Sequence, residues 1–431
     1  MGRFGSNLTA LHLIVVAFSL ACADAVPAVR TAVRDSAGIQ IVENTVPDET
    51  RLPLLVMGPP DYTIGTVDGP SEYTLFGVQG ATRLSDGRVV ILDRSAQLRF
   101  YDRAGLFQHA VGSKGEGPGE FDGPTHLRRL TGDTLLVADR VIRRPRTYYF
   151  DSSGVFVRDV QYEREILVRG QLQDSAIAVR FIPIRDDALL LIAQRGIYPG
   201  QPPPTRPFYP LFVVPSQRRI WALGNYPMLN LGLEVAARLR GFVVVPFPFA
   251  VVAHDTTMSP DDRAPNIYLG DLGVHGYRVY DHDGSLTRIV TTDSEPITVD
   301  PGLPGRIREL LYQQVVQSGG DSIRFDRNYF ALGQFESVYP AFIGIAAAST
   351  GHVWLTRYPV APNEQWEDRS DTVTRFDVYD PLGALLGTIE FGGPNQPLEI
   401  GADYVLMLRR DANDVEFVDV YLNRTLIPLA R

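Results

Sequence analysis

The chain has 431 residues, 45% of them hydrophobic and 21% charged, and its formal net charge is −9. This acidic balance argues against a protein whose binding depends mainly on electrostatic attraction to nucleic acid. The 39 Gly and 32 Pro are spread along the whole chain, a composition typical of many short strands joined by turns.

The N-terminus has the pattern of an export signal. Arg3 precedes an apolar run at 11–20 that is too short to span a bilayer, and small residues follow it. We predict a signal peptide over 1–22, which ends in the lipobox-like sequence Ser-Leu-Ala-Cys, so that Cys22 is lipidated after cleavage. Cys22 is the single cysteine, which excludes disulfide bonds within the chain.

Cleavage after Ala23-Asp24-Ala25 is the alternative, and it would release a soluble secreted protein without Cys22. We expect a protein of the cell envelope or periplasm that is lipid-anchored, with a linker over 23–36.

A glycine-rich run, VGSKGEGPGEFDGP at 111–124, raises the question of a phosphate-binding loop. In such a loop the glycines precede the lysine and a helix follows, whereas here Lys114 precedes the main glycines and a strand follows. The segment GPGEF at 117–121 has a partial twin, GPSEY, at 69–73. The recurrence favours a junction between repeated units, in which Phe121 or Tyr73 fills the gap.

A second pattern, an aromatic residue, Asp, two variable residues and Gly, begins at Tyr101, Phe150, Tyr280 and Tyr379. Asp and Gly in this order suit a tight hairpin. Around these turns the sequence predicts units of four short strands in up-and-down order. A unit of about 48 residues has the size of a propeller blade.

We therefore predict an all-β fold over 37–431, a six-bladed β-propeller of four-stranded antiparallel blades, with five or seven blades as alternatives. The first five predicted blades cover 78–124, 125–170, 171–240, 241–300 and 336–397. The sixth would combine C-terminal strands at 404–408 and 415–421 with N-terminal segments at 38–44 and 52–57, so that the two ends close the ring.

Two insertions interrupt the blades. The first, at 196–210, is Pro-rich and predicts an extended surface loop. In the second, at 301–320, apolar residues recur at helical spacing and predict a short amphipathic helix that packs on the ring.

The run GSKGEGPGEFDGP at 112–124, followed by LLVAD and a strand that ends in Phe150-Asp151, resembles the NHL-repeat type of six-bladed propeller found in exported bacterial proteins. The resemblance is close over 64–160. It implies the fold, but little about function, because propellers include enzymes, scaffolds and ligand binders. Some relatives are zinc-dependent lyases or calcium-dependent lactonases, and their ligand sets do not map onto this sequence.

Catalytic and metal-binding motifs are not evident. The histidines outside the signal segment do not have metal-ligand spacing, and no Gly-x-Ser-x-Gly motif occurs. The segment Asp281-His282-Asp283-Gly284 resembles the start of a calcium loop but lies on a predicted hairpin. We predict no catalytic residue, no metal ligand and no cofactor, and the resemblance leaves Ca or Zn open.

In a propeller, the turns between the second and third strands of a blade share one face with the connections between blades. The residues predicted on this face are Asp93, Arg94, Asp139, Arg140, Arg143, Arg144, Arg146, Asp271 and Arg357. The arginines could bind carboxylate or phosphate groups bidentately. Alternatively, the aspartates cap turns and the arginines pair with them. Lys114 and Glu116 are expected on the same face.

The leading hypothesis for function is an exported, membrane-tethered and monomeric propeller, without catalysis, that binds an unidentified protein or an anionic small ligand through this face. We expect no nucleic-acid partner, and contact with the membrane only through the lipid anchor. The alternative is a metal-dependent hydrolase or lyase, lactonase-like, at the mouth of the channel. A third possibility is a structural role in envelope complexes.

Overall fold

The computed structural model describes residues 29–139, 145–162, 176–185, 188–195, 208–214, 219–224, 250–254, 265–271, 274–296, 341–358 and 373–422, with a few single positions between them. The signal segment with Cys22 and most of both insertions lie outside these ranges. Within them, no helix is long and apolar enough to cross a membrane.

The described part of the chain begins with four strands that do not form a sheet of their own. A short 3-10 turn, Glu49–Arg51, separates the second of them from the third. The four strands are β1 (Arg30–Ser36), β2 (Ile39–Thr45), β3 (Leu54–Val56) and β4 (Tyr62–Ile64).

The first three blades each consist of four consecutive antiparallel strands. Blade I comprises β5 (Gly80–Arg83), β6 (Val89–Leu92), β7 (Leu98–Tyr101) and β8 (Phe107–Val111). Blade II comprises β9 (Pro124–Arg129), β10 (Leu135–Asp139), β11 (Arg146–Phe150) and β12 (Phe156–Gln161). Blade III comprises β13 (Ala176–Arg185), β14 (Ala188–Arg195), β15 (Phe208–Val214) and β16 (Arg219–Ala222).

The last three blades recruit the N-terminal strands at their outer edges. Blade IV comprises β17 (Ala250–His254), β18 (Pro265–Gly270), β19 (Gly276–Tyr280) and β20 (Leu286–Asp293). Blade V comprises β21 (Phe342–Ala347), β22 (Val353–Arg357), β23 (Thr374–Tyr379) and β24 (Leu385–Phe391). Blade VI comprises β25 (Asn395–Ile400), β26 (Tyr404–Arg410) and β27 (Glu416–Leu422), with β4 as its fourth strand.

The inner strands connect the six sheets into a ring. β5 contacts β9, β13 contacts β10 and β18, β21 contacts β17 and β25, and β25 contacts β5. The hydrophobic core lies between neighbouring sheets; between blades I and II, for example, Leu92 and Phe100 pack with Leu135 and Phe150. The predicted fold, an all-β propeller with six four-stranded blades, is confirmed.

The closure of the ring differs in detail from the prediction. The segments at 38–44 and 52–57 were expected in blade VI, but β2 pairs in parallel with β20 of blade IV and β3 pairs in parallel with β24 of blade V. Blade VI needs only one N-terminal strand, β4, because β25 belongs to it and not to blade V. The expectation that both ends of the chain close the ring is correct.

Residues 30–64, with strands β1 to β4, therefore run along the outer edges of blades IV, V and VI, and we call this segment the strap. Its first strand, β1, lies within the predicted linker. Asn44 fastens this strap and is 1% exposed. Its Nδ2 donates to the carbonyl oxygens of Gly383 (2.9 Å) and Thr291 (3.2 Å), and its Oδ1 accepts from Leu385 N (3.0 Å) and Thr31 Oγ1 (2.8 Å). One side chain thus connects the strap to two blades.

The four aromatic-Asp turns are hairpins between the third and fourth strands. In the first, Asp102 Oδ1 accepts from Ala104 N (2.8 Å) and Leu106 N (2.9 Å). The glycine of each turn has a positive φ and packs against the preceding blade; a Cβ on Gly383 would lie 2.7 Å from Val290. In blade VI no hairpin joins the third and fourth strands, β27 and β4, because β4 comes from the N-terminal part of the chain.

The predicted loop at 196–210 ends earlier than expected, since 208–210 are the first residues of β15. The predicted helix at 301–320 lies largely outside the described residues.

Candidate functional site

In blades I and II, the turn between the second and third strands lies on the same face as the connection from the preceding blade, as predicted. In blade I, Arg94 N donates to Phe76 O at 3.0 Å, which joins the turn after β6 to the connection from blade VI. In blade II, the carboxylate of Asp139 accepts from Asp122 N (2.8 Å) and Gly123 N (2.7 Å). We call the side formed by these turns and connections the loop face.

The glycine-rich run is a blade junction. Its amide groups bond within the run: Glu120 Oε2 accepts from Gly117 N at 2.9 Å, and Phe121 N donates to Ser113 O at 2.8 Å. Phe121 is fully buried and lies edge-on to Tyr148 at 5.3 Å between ring centroids. Because these amides already have partners, the geometry does not support a phosphate cradle.

Ion pairs with a common geometry join the second and third strands of several blades. In blade I, Asp93 follows the second strand and lies 3.2 Å from Arg99 Nη2 on the third. In blade IV, Asp271 and Arg278 occupy the equivalent positions at 3.0 Å. In both cases the arginine is paired with the residue two positions before the aspartate in the strand register.

Blades V and VI carry the same pair with the charges exchanged. Arg357 ends the second strand of blade V, and its Nε lies 2.7 Å from Asp377 Oδ1 on the third strand. In blade VI, Arg409 Nε lies 2.6 Å from Asp419 Oδ2. Asp377 and Asp419 are again paired with the residue two positions before the arginine.

The buried carboxylates hold the partly exposed guanidinium groups in place. The side chain of Asp377 is fully buried and that of Asp419 is 2% exposed, whereas Arg357 and Arg409 are 26% and 32% exposed. In blade II, Arg146 pairs with Asp159 at 3.3 Å, is 21% exposed, and donates to Glu116 O of the glycine-rich run. We call the four partly exposed residues the arginine ring: Arg146, Arg278, Arg357 and Arg409.

The predicted site residues therefore fall into three groups. Asp93, Asp139 and Asp271 are buried. The carboxylates of Asp93 and Asp139 accept backbone N–H groups, and that of Asp271 pairs with Arg278. Arg146 and Arg357 belong to the arginine ring, and Arg94 is exposed and covers Gly77. The residues outside the described ranges are Arg140, Arg143 and Arg144.

Burial raises the pKa of Asp139 above its usual range, although the hydrogen bonds that it accepts from Asp122 N and Gly123 N oppose this shift. This environment is that of a structural turn cap within a blade.

Sequence reasoning missed Arg278, Arg409, Asp377 and Asp419. A signal was available for two of them, because Arg278 and Asp377, like Arg99, lie three residues before the aspartate of a hairpin. The third strand carries the arginine of the ion pair in blades I and IV and the aspartate in blades V and VI, and this exchange concealed the position that the pairs have in common.

A polar cluster that the sequence did not suggest lies where blade IV meets blade V. His275, in the turn before β19, has its Nδ1 2.9 Å from Ser294 Oγ and its Nε2 3.1 Å from Asp377 Oδ2. Tyr379 Oη lies 3.5 Å from the same Nε2 and 2.8 Å from Thr292 Oγ1. The cluster reaches from the buried third strand of blade V to the connection after β20.

Asp377 is the charged centre of this cluster. Burial alone would raise the pKa of Asp377, but the contact with His275 and the charge of Arg357 outweigh it, so the pKa lies below its usual range. Its carboxyl group is therefore ionised at neutral pH.

Within the described part of the chain, no group of three His, Cys, Asp or Glu side chains converges in a way that could hold a metal ion.

The molecule is a six-bladed β-propeller with an arginine ring and a buried His-Asp contact on its loop face. No family model matches the chain, and no curated protein matches it either. Membership of the NHL-repeat family thus stays a prediction.

Several solved structures are similar. A Bacteroides fragilis protein inferred to be exported is 12% identical, with 86% of this chain and 100% of that chain covered and a TM-score of 0.43. A member of the DUF4221 family from Bacteroides vulgatus is 10% identical, with 85% and 98% covered and a TM-score of 0.42. A protein inferred to be a gluconolactonase is 12% identical, with 88% and 96% covered and a TM-score of 0.37. Likenesses at this level carry no argument about activity.

Proposed function

We propose that this protein is an exported propeller, tethered through Cys22, that binds an anionic ligand or an acidic segment of a protein through its loop face. The observation that carries the proposal is the arginine ring. Four blades present a partly exposed guanidinium group on this face, each paired with a carboxylate, and Arg357 also contacts Glu49 at 3.5 Å.

The ring is suited to recognition more than to long-range attraction. Each guanidinium is matched by an acid, so the pairs add little net charge, and the chain as a whole is acidic. A guanidinium that is already oriented loses less conformational freedom when a ligand carboxylate or phosphate binds, and its planar fork favours bidentate contacts. We therefore expect selectivity for planar or tetrahedral anions at close contact.

Blade II provides the best test, because removing Arg146 leaves no buried acid unpaired: its partner Asp159 is 37% exposed. The test variant changes Arg143, Arg144 and Arg146 to Ser. Wild type and variant are used as bait against detergent extracts of the source membranes, and captured proteins and small anions are identified by mass spectrometry.

The expected result is loss of the wild-type partner from the triple variant at unchanged thermal stability. The matched control changes Arg88 and Arg103 to Ser, two arginines in the turns after β5 and β7 on the opposite face, and it should capture the partner normally. Equal capture by wild type and triple variant would exclude the blade II sector of the loop face as the binding site.

Tethering has its own measurement. Mass spectrometry of the mature protein should show an acylated Cys22 at the N-terminus, whereas a chain that begins at Val26 without a lipid would contradict tethering.

A further inference from the structure

Ser294, His275 and Asp377 form a continuous series of polar contacts at the junction of blades IV and V. We propose that this series is a catalytic relay for the hydrolysis of carboxylic esters, with Ser294 as the nucleophile, His275 as the general base and Asp377 as the positioning residue. This activity is distinct from anion binding by the arginine ring, with which it shares one residue, Arg357, the partner of Asp377.

The distances between the three residues are those of such a relay. Ser294 Oγ is 2.9 Å from His275 Nδ1, within hydrogen-bond reach of a base that is to accept its proton. On the other side of the ring, Nε2 is 3.1 Å from Asp377 Oδ2, although this approach is not aligned as a hydrogen bond. Without a substrate, contacts of this kind are often poorly aligned and tighten when the substrate binds.

Asp377 is held as a positioning carboxylate must be. Its Oδ1 accepts from Arg357 Nε at 2.7 Å and from Thr388 Oγ1 at 3.1 Å, which leaves Oδ2 facing His275. Since Asp377 is ionised, it favours the tautomer in which Nε2 carries the hydrogen and Nδ1 is free to accept the serine proton.

The relay also has the expected gradient of exposure. The side chain of His275 is 8% exposed and that of Asp377 is fully buried. Ser294 is half-buried in the connection that leaves β20, on the loop face. The nucleophile is thus at the surface while its partners are shielded from water.

Sequence motifs could not have revealed this arrangement, because Gly-x-Ser-x-Gly is absent and the three residues come from two blades. Relays of this type are recognised by geometry, since unrelated folds present the residues in different chain orders.

The reaction needs no metal or redox partner. Ser294 Oγ attacks the ester carbonyl carbon and forms a C–O bond, while its proton passes to His275 Nδ1. Collapse of the tetrahedral intermediate breaks the bond to the alkoxy group, which leaves as an alcohol with that proton. Water then attacks the acyl-serine by the same route, which releases the carboxylic acid and restores Ser294 and neutral His275.

The primary experiment treats the full-length purified protein with a fluorophosphonate probe and maps the modified residue by peptide mass spectrometry. Hydrolysis of p-nitrophenyl acetate is measured in parallel. We expect modification at Ser294 and esterase activity that Ser294→Ala lowers by about 1,000-fold. Ser113→Ala, which alters another serine on the loop face, should leave both unchanged. A folded wild-type protein that is not modified at Ser294 would overturn the proposal.

The positioning role of Asp377 has a separate readout. Asp377→Asn should lower kcat much more than it changes KM, because it disturbs the base without altering where the ester binds. Should this variant fail to fold, Thr388→Val removes one hydrogen bond to Oδ1 and should give a smaller loss in kcat. An unchanged kcat in the folded Asp377→Asn variant contradicts the role.

The relay and the proposed binding function can fail independently. The Arg143, Arg144 and Arg146 triple variant should still be modified at Ser294, and Ser294→Ala should still capture the wild-type partner.

Discussion

The Nε of Arg357 lies 2.7 Å from Oδ1 of the fully buried Asp377, and this pair reverses the charges that Asp93 and Arg99 place in the equivalent positions of blade I. The propeller therefore conserves an ion pair at this position in four blades while exchanging which strand carries the acid. In blade V the exchange places the acid on the third strand, where it meets His275 of blade IV.

Breaking this pair from one side should destabilise the fold. Arg357→Met leaves Asp377 buried without its main cation, and we expect the free energy of unfolding to fall by about 3 to 5 kcal/mol. The double variant Arg357→Met with Asp377→Leu removes both charges and should regain most of that loss. Urea denaturation of both variants checks this, and a double variant no more stable than the single one would argue against the pair as the cause.

Removal of the Asn44 side chain should loosen the strap. Asn44→Ala leaves buried polar groups of Gly383 and Leu385 without their partner, so we expect a loss on the order of 3 kcal/mol. Hydrogen exchange at 30–45 should accelerate at the same time. The control is Asn413→Ala at an exposed position; a similar loss in both variants would show that the strap is not fastened by Asn44.

Gly383 should tolerate alanine less well than Gly132. Both have a positive φ, but a Cβ on Gly383 would lie 2.7 Å from Val290, whereas one on Gly132 would meet nothing within 4 Å. Gly132→Ala should lose about 1 kcal/mol from its backbone conformation alone, and Gly383→Ala about 1 to 3 kcal/mol more from the steric conflict. Thermal unfolding of the two variants measures the difference, and equal losses would contradict the packing argument.

Arg128 should be destabilising in its present position. Its Nε and Nη1 are buried and find no partner among the described residues, and burial lowers its pKa to about 10. Arg128→Met should therefore raise the free energy of unfolding by about 1 to 2 kcal/mol. The adjacent Arg129, which pairs with Asp133 at 3.0 Å, is the control, since Arg129→Met should give no gain. A loss of stability in Arg128→Met would point to a counter-ion.

Stability should fall on mild acidification because of His352. Burial lowers its pKa below the ordinary value of 6.5, so the folded state favours the neutral ring. The stabilising contribution is complete above pH 6.5 and is lost as the pH falls through the folded-state value. Urea midpoints at pH 7.5, 6.5 and 5.5 should show a smaller decrease for His352→Gln than for the wild type. Parallel decreases would assign the effect to other groups.

Short local sequence patterns were sufficient to predict much of the fold. The hairpin turns depend on an aspartate that accepts amides two and four residues ahead and on a glycine that accepts positive φ, and both requirements are visible in a pentapeptide. Four copies of that turn, with the repeated Gly-Pro-x-Glu-aromatic segment, were sufficient to predict the blade architecture and to predict that VGSKGEGPGEFDGP is a junction.

Contacts between residues distant in the chain decided the remainder. The sequence alone does not show which of the N-terminal strands β2, β3 and β4 completes blade VI. In the structure β4 pairs with the edge of β27, whereas β2 and β3 pair with blades IV and V. The ion pairs of the arginine ring depend on strand register within each blade. The exchange of charges between blades conceals the common position that Arg278 and Asp377 share before their hairpin aspartates. The meeting of Ser294, His275 and Asp377 depends on how blade IV packs against blade V, because Asp377 lies far from the other two residues in the sequence.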